Sequence, residues 1–249
     1  MNGTNLTRPG KKLFAEVFPP VTLIQDKGCD MKTYSLILGS SSPRRKELLS
    51  HIGVPFKVIS PEVDESRGPK DPIKQAVYLA CEKGREVMDK LSERKDFGKT
   101  FFPVVVGSDT LVARNGKVYG KPRDVNHAKR MLKELGGHWH TVVTAVFIGV
   151  CDNKTGKIHE RIFCVTSDVE FAPLTKDILN NYIATKEPLD KAGSYGIQGP
   201  ALTFIRNVRG SYSNVVGFPL EEFIEHLKAA LGHAKDTSGK WRSLFKKRG

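Results

Sequence analysis

The chain is poor in cysteine, with four in 249 residues, at positions 29, 81, 151 and 164. None forms a C-x-x-C pair or joins histidines at zinc spacing, which excludes a disulfide framework or a zinc ribbon and leaves the thiols reduced and packed. Long apolar runs are also missing. Nothing approaches the roughly 20 residues that a membrane-spanning helix needs, so no membrane association is expected. The first thirty residues lack the charged head, apolar middle and small-residue cleavage site of a secretory leader. The expected location is therefore cytoplasmic, and the N-x-Thr sequons at Asn2 and Asn5 carry no weight there. Aromatic residues make up 8% of the chain and are scattered; they do not interleave with basic residues in the stripe that single-stranded nucleic acid uses. G-x-G-x-x-G is absent, and "GKVYGKP" is one residue short of a P-loop and lacks its following Ser or Thr.

Positive charge is abundant, with 40 Lys and Arg against 27 Asp and Glu for a formal charge of +13. Residues 233–249 carry six basic residues and one acid, and residues 1–33 carry five and three. The tails thus supply +5 and +2, leaving +6 for the long middle. The C-terminal "GKWRSLFKKRG" reads as a flexible, solvated basic tail, with a nonspecific polyanion contact as its alternative.

Hydrophobic period and punctuation predict a strand at 34–38, a helix at 43–52 closed by Gly53, a strand at 54–59 and an amphipathic helix at 72–91. A buried strand at 103–107 follows. A separate short hairpin then turns at Asn115-Gly116, between 111–113 and 117–119. A helix at 124–135 precedes a long antiparallel hairpin across 138–171. A Thr175-capped helix, a strand near 202–208 and a last helix at 219–231 complete the pattern. Strands alternating with helices, plus one long hairpin, predict an α/β protein with a mixed sheet and flanking helices. The expected organisation is an N-terminal extension at 1–33 that is poorly ordered, one α/β domain at 34–231 and a basic tail at 232–249.

The stretch "GSSSPRRK" at 39–46 carries the first chemical signal. Ser42 fits the N-cap and Pro43 the first helical position, which puts Arg44, Arg45 and Lys46 in the first turn. Cations there oppose the helix dipole at roughly 0.3–1 kcal/mol each when exposed, so an arriving anion is expected. Free N–H groups, serine hydroxyls and guanidinium forks suit a phosphate chain. Carboxylates carry the second signal: Glu62, Asp64 and Glu65 in one loop, and Asp109 at the predicted carboxyl end of a strand, where α/β sheets gather ligands. Lys83 stands at the edge of its helix's apolar stripe, and Lys121 follows Gly120 on a chain reversal. Basic and acidic groups facing one cleft suit a polyphosphate ester bound with a divalent ion such as Mg²⁺. His138 and His140 alternate on a strand without a third ligand and read as structural.

In order and spacing, "SSSPRR", "VDE", "LACEK", "GSDT", "GKP", "DKAGSYGIQG" and "GSYSNVVGFP" resemble the Maf family of nucleoside triphosphate pyrophosphatases over about residues 34–231. The resemblance implies a mixed α/β fold similar to that of inosine triphosphate pyrophosphatases, with two lobes around a deep cleft and often a homodimer. It implies a divalent cation and hydrolysis of a nucleoside triphosphate to the monophosphate and pyrophosphate. By the same resemblance Asp109 accepts the proton of water, and Glu65 assists the metal or the water, so that both carboxylates are candidate metal ligands. Arg44, Arg45, Lys83 and Lys121 hold phosphates, Ser40 contributes a hydroxyl or N–H, and Lys191 and Gln198 line the nucleotide side. Arg45, Thr110 and Gln198 match the residues of the dTTP/UTP branch rather than the 7-methyl-GTP branch. The competing expectations are a nucleic-acid binder using the basic surface, and an inactive nucleotide-sensing regulator of cell division. The uninterrupted set Asp109, Glu65, Lys83 and Lys121 disfavours the regulator, and the motif-poor tails disfavour the nucleic-acid binder.

Overall fold

The computed structural model describes residues 33–245. The expected disorder of the N-terminal extension, and the basic residues at 246–248, therefore fall outside the described residues except for Thr33. One sheet of seven strands runs in the order β2-β1-β3-β5-β6-β7, with β4 on β3. Its strands are β1 (Tyr34–Gly39), β2 (Phe56–Val58), β3 (Phe102–Arg114), β4 (Lys117–Tyr119), β5 (Trp139–Cys151), β6 (Ile158–Phe171) and β7 (Ile205–Arg209). Six helices flank it: α1 (Pro43–Ser50), α2 (Pro72–Ser92), α3 (Val125–Leu135), α4 (Lys176–Ala184), α5 (Tyr212–Val216) and α6 (Leu220–Ala230). β1 is parallel to β2 and β3, and every other pairing is antiparallel. The mixed α/β expectation is met, and the long hairpin of β5 and β6 lies across 138–171, where it was expected.

Side-chain alternation along the central strands divides the core between two faces. Ile37 and Val105 pack with Val87, Met88 and Leu91 of α2. Further along the same face, Leu111 meets Ala76 and Ala80 of α2. On the opposite face, Leu36, Leu38, Val104 and Val106 pack with Leu48 and Leu49 of α1 and Phe223 and Leu227 of α6. Val112, Val142 and Val169 pack there with Met131 and Leu132 of α3 and Leu179 of α4. One face is thus covered by the long helix α2, and the other by two separate groups of helices.

Two expectations need correction. The predicted strand at 103–107 and the first arm of the separate hairpin are a single strand of 13 residues, β3, so Asp109 is not at a strand end. The polar "GSD" does not break the strand because β5 pairs with it without interruption from Val104 to Ala113. The second concerns the C-terminal tail, expected to be solvated. Residues 240–244 form a 3₁₀ turn, and Trp241, Leu244 and Phe245 are buried in the same cluster as Leu49 and Ile52. Their spacing of three and four puts three apolar side chains on one side of the turn, where burial outweighs the cost of ordering a charged segment.

Pairing along β3 shapes the site. β1 leaves β3 at Gly107, and β4 joins it only at Val112. Residues 108–111 therefore have a ladder partner on one side alone, β5, and the other side is a notch in the sheet.

Candidate active site

A cavity of about 660 Å³ opens at this notch, within the size range of small-molecule sites. Because β3 is unflanked there, successive side chains from both faces reach it. Asp109 comes from the α2 face and Thr110 from the other. Ser40, Arg44, Arg45, Glu65, Lys83, Lys121, Lys191 and Gln198 line the same cavity, so all ten expected site residues meet. Glu62 and Asp64 do not line it. Asp64 is held by Ser66 and Arg67, and Glu62 faces Lys90 at 4.0 Å.

The centre is a cation between two carboxylates. Lys83 Nζ donates to Asp109 Oδ1 at 2.7 Å and to Glu65 Oε1 at 2.6 Å. Two glycines set this approach. A Cβ on Gly107 would lie 2.4 Å from the Ala80 carbonyl and 2.6 Å from the Gly84 nitrogen, and a Cβ on Gly84 would lie 2.1 Å from the Phe147 ring. Without side chains at both positions α2 settles directly on β3 and β5, one residue from Lys83 and two from Asp109. The environment then separates the two acids. Burial pushes Asp109 above the usual carboxylate range, although Lys83 and Arg45 pull the other way. Glu65 is half-exposed; burial works against its ionisation, but the hydrogen bond and charge of Lys83, with Lys121 and Arg45, hold it below its ordinary value. Two acids driven apart in this way divide into a proton acceptor and a permanent charge. Asp109 Oδ2 is buried and has no hydrogen-bond partner among the described residues, so one oxygen of the raised carboxylate remains to accept a proton or meet a cation.

The basic side of the cavity rises from the first turn of α1. Ser42 caps the helix, accepting from the Arg45 N–H at 3.4 Å, and no acid stands in that turn. Arg45 folds inward. Its Nε donates to the Gly217 carbonyl at 2.9 Å, and its terminal nitrogens donate to Thr110 Oγ1 at 2.9 Å and Ser40 Oγ at 3.3 Å. Thr144 donates to the Asn214 carbonyl at 3.1 Å, so the one proton of Thr110 is shared between Thr144 Oγ1, 3.0 Å away, and the Gly217 carbonyl at 3.3 Å. Arg45 is therefore fixed by a hydroxyl relay that ends on α5. Burial lowers the Arg45 pKa from its ordinary value, and the opposing charge of Asp109 and Glu65 offsets part of this. Arg44 approaches Asp190 at 3.7 Å, and the exposed Lys121 stands 4.0 Å from Glu65.

On the far wall Lys191 is engaged by the Glu187 carbonyl at 3.0 Å and Asp190 Oδ1 at 2.7 Å, which turns its ammonium toward its own loop. Tyr195, Ile197 and the exposed Gln198 complete that wall. His140 has the structural role expected of it: its Nε2 lies 2.8 Å from the Tyr195 hydroxyl, and burial lowers its pKa to about 4. Among the described residues no three His, Cys, Asp or Glu side chains gather as a metal cage. Two hard carboxylates with one unpartnered oxygen do fit Mg²⁺ or Mn²⁺ that shares its coordination with phosphate oxygens. Sequence reasoning missed the Gly217 carbonyl, Thr144 and Asn214. The "GSYSNVVGFP" stretch was the available signal, but a backbone acceptor for Arg45 has no side-chain signature.

A model of the Maf-like protein family matches residues 35–230. The dTTP/UTP pyrophosphatase of Escherichia coli O157:H7 is 44% identical over 194 residues, covering 78% of this chain and 91% of that protein. That of Shigella dysenteriae is 43% identical with the same coverage. The Bacillus cereus protein of the same name is 39% identical over 206 residues, 82% of this chain and 93% of its own.

Proposed function

The chain belongs to the Maf family, and from that premise we propose that it hydrolyses dTTP and UTP to the nucleoside monophosphate and pyrophosphate. The observation that carries the reading is the meeting of Arg45, Lys83, Glu65 and Asp109 in one cavity. Arg45, Arg44, Lys83 and Lys121 bind the triphosphate and neutralise charge as it moves onto the leaving pyrophosphate. Asp109 is the proton acceptor, through Oδ2, because Oδ1 is committed to Lys83. Water adds to the α-phosphorus while the bond from that phosphorus to the bridging oxygen breaks. The water proton passes to Asp109, and the electron pair of the broken bond leaves with pyrophosphate.

A divalent cation belongs to the same proposal, with Glu65 and Asp109 as the residues that would hold it; when bound, it supplies further neutralisation of phosphate charge. Ser40 and Thr110 fix Arg45 from two sides. Lys191 supports the far wall, where the Gln198 amide can offer both a donor and an acceptor to a uracil or thymine edge. The nucleic-acid binder is not favoured, since its basic tail is partly packed into the core.

The proposal extends to a homodimer and to a reducing, cytoplasmic location. The exposed apolar side chains Leu202, Val208 and Tyr212, on or beside the edge strand β7, support the first. The free Cys81, Cys151 and Cys164, and the absence among the described residues of any helix long and apolar enough to cross a membrane, are compatible with the second. The test is pyrophosphate release from a panel of canonical and modified nucleoside triphosphates with Mg²⁺ or Mn²⁺. We expect dTTP and UTP to lead; preference for 7-methyl-GTP would overturn the branch. Light scattering after size exclusion decides the dimer.

A further inference from the structure

Residues 233–245 lie beyond the stretch that the family model matches, and no step of the hydrolysis uses them. They are nevertheless built against the helix that carries Arg45. Asp236 shapes their turn, accepting from the Ser238 N–H at 2.8 Å, the Ser238 hydroxyl at 2.7 Å and the Trp241 N–H at 2.7 Å. Trp241, Leu244 and Phe245 then enter the cluster that buries Leu48, Leu49 and Ile52. Phe245 also forms a parallel bridge with Tyr34, at the start of the strand that leads into α1. From the same turn Arg242 Nε donates to the Ile52 carbonyl at 2.7 Å, two residues past the end of α1, while its guanidinium lies over the Trp241 ring.

This contact answers a weakness in α1. The helix has only eight residues, fewer than an isolated helix needs, and its charges run against its dipole. Arg44, Arg45 and Lys46 occupy the positive end; the first turn has no acid and the last turn has no base. A cation near the negative end would offset this, and the helix does not supply one. Arg242 delivers that cation from the far end of the chain and also satisfies a carbonyl just past the helix.

We propose that the C-terminal segment 233–245 is a positioning device for phosphate binding: it clamps the trailing end of α1 through Arg242 and Trp241 and so holds Arg45 toward the cavity. Arg242 is a positioning residue and touches no reacting atom. The proposal rests on the reading of the cavity as a nucleoside triphosphate site.

The experiment compares full-length wild type, Arg242→Ala, Arg242→Lys, Arg45→Ala and the Arg45→Ala/Arg242→Ala double variant. The side chain of Arg242 is exposed, so its removal leaves the buried Trp241 cluster in place. With dTTP and Mg²⁺, Arg242→Ala is expected to lower kcat/KM about threefold to tenfold. Arg242→Lys should recover part of the loss, and Arg242→Ala should add nothing in the Arg45→Ala background. Amide exchange at 44–52 should quicken in Arg242→Ala while exchange in α2 is unchanged. An equal loss in both backgrounds, or unaltered exchange at 44–52, overturns the proposal. If the wild type released no pyrophosphate from dTTP or UTP, the functional reading would fail by itself. Exchange, together with calorimetric affinity for inorganic pyrophosphate in the same five proteins, would still decide whether Arg242 acts through Arg45.

Discussion

Replacing Asp109 by Asn keeps the shape of the side chain and removes its ability to take a proton. General-base catalysis contributes about 10²–10⁴ in rate, so kcat for dTTP should fall by that factor, or about 2.7–5.5 kcal/mol of barrier. Arg45, Arg44 and Lys121 are untouched, and nucleotide affinity should change little. Stability separates this reading from simple damage to the site. The native state raises the Asp109 pKa above its ordinary 3.8 even with Lys83 at 2.7 Å, so burial outweighs the ion pair. The folded protein therefore binds this proton more tightly than the unfolded chain does. Stability is lost as the pH rises from the ordinary value through the folded one, and the full cost of holding the charge is present above both. Asn carries no such cost, and Lys83 keeps its 2.6 Å bond to the half-exposed Glu65. The variant should then unfold at the same denaturant concentration as wild type at pH 8, or at a higher one. Pyrophosphate release and urea unfolding on the same preparation test both halves. Turnover within tenfold of wild type would refute Asp109 as the base, and a marked loss of stability at pH 8 would refute the balance argued for its burial.

Lys83→Met removes a charge that lowers the pKa of Asp109, so the acidic limb of the kcat/KM profile, where activity falls as the base becomes protonated, should move to higher pH. A pH–rate series that superimposes on that of wild type would exclude this coupling. Gly84→Ala places a methyl 2.1 Å from the Phe147 ring of β5; overpacking of this kind costs about 1–3 kcal/mol, measurable by urea unfolding, and it should lower activity by lifting α2 off the sheet. Thr110→Val deprives Arg45 of an acceptor at 2.9 Å and interrupts the relay to Asn214. An unpaired group there costs about 1–3 kcal/mol, so kcat/KM should drop about tenfold or more, with Thr110→Ser recovering part of it.

The parts of this site that local chemistry specifies could be read before the fold was known. The cap at Ser42, the proline after it and the misplaced cations follow from helix-end electrostatics, which needs only neighbouring residues. The place of Lys83 at the edge of an apolar stripe followed from helical period. Its simultaneous contact with Glu65 and Asp109 did not, because that contact depends on how closely α2 lies on β3, a distance set by Gly84 and Gly107 at separate points of the chain. The course of β3 was misread for a related reason. "GSD" has the composition of a turn, and only pairing with β5, whose partner residues Phe147, Val146 and Ala145 come 36 to 40 positions later, keeps it extended. In the C-terminal segment net charge masked the signal: Trp241, Leu244 and Phe245 carry the spacing of one helical side, and six basic residues in seventeen drew the reading toward solvent.

The notch beside residues 108–111 also bears on how such a protein could acquire new substrates. Its acidic centre is mounted on a strand bonded from Val104 to Ala113 to β5, whereas the wall proposed to face the base is made of short turns around Tyr195, Ile197 and Gln198. Substitutions on that wall can change which nucleobase is accepted without disturbing the hydrogen-bond ladder that anchors the carboxylate. On the proposed reading, substrate preference is separable on this scaffold from the groups that carry out hydrolysis.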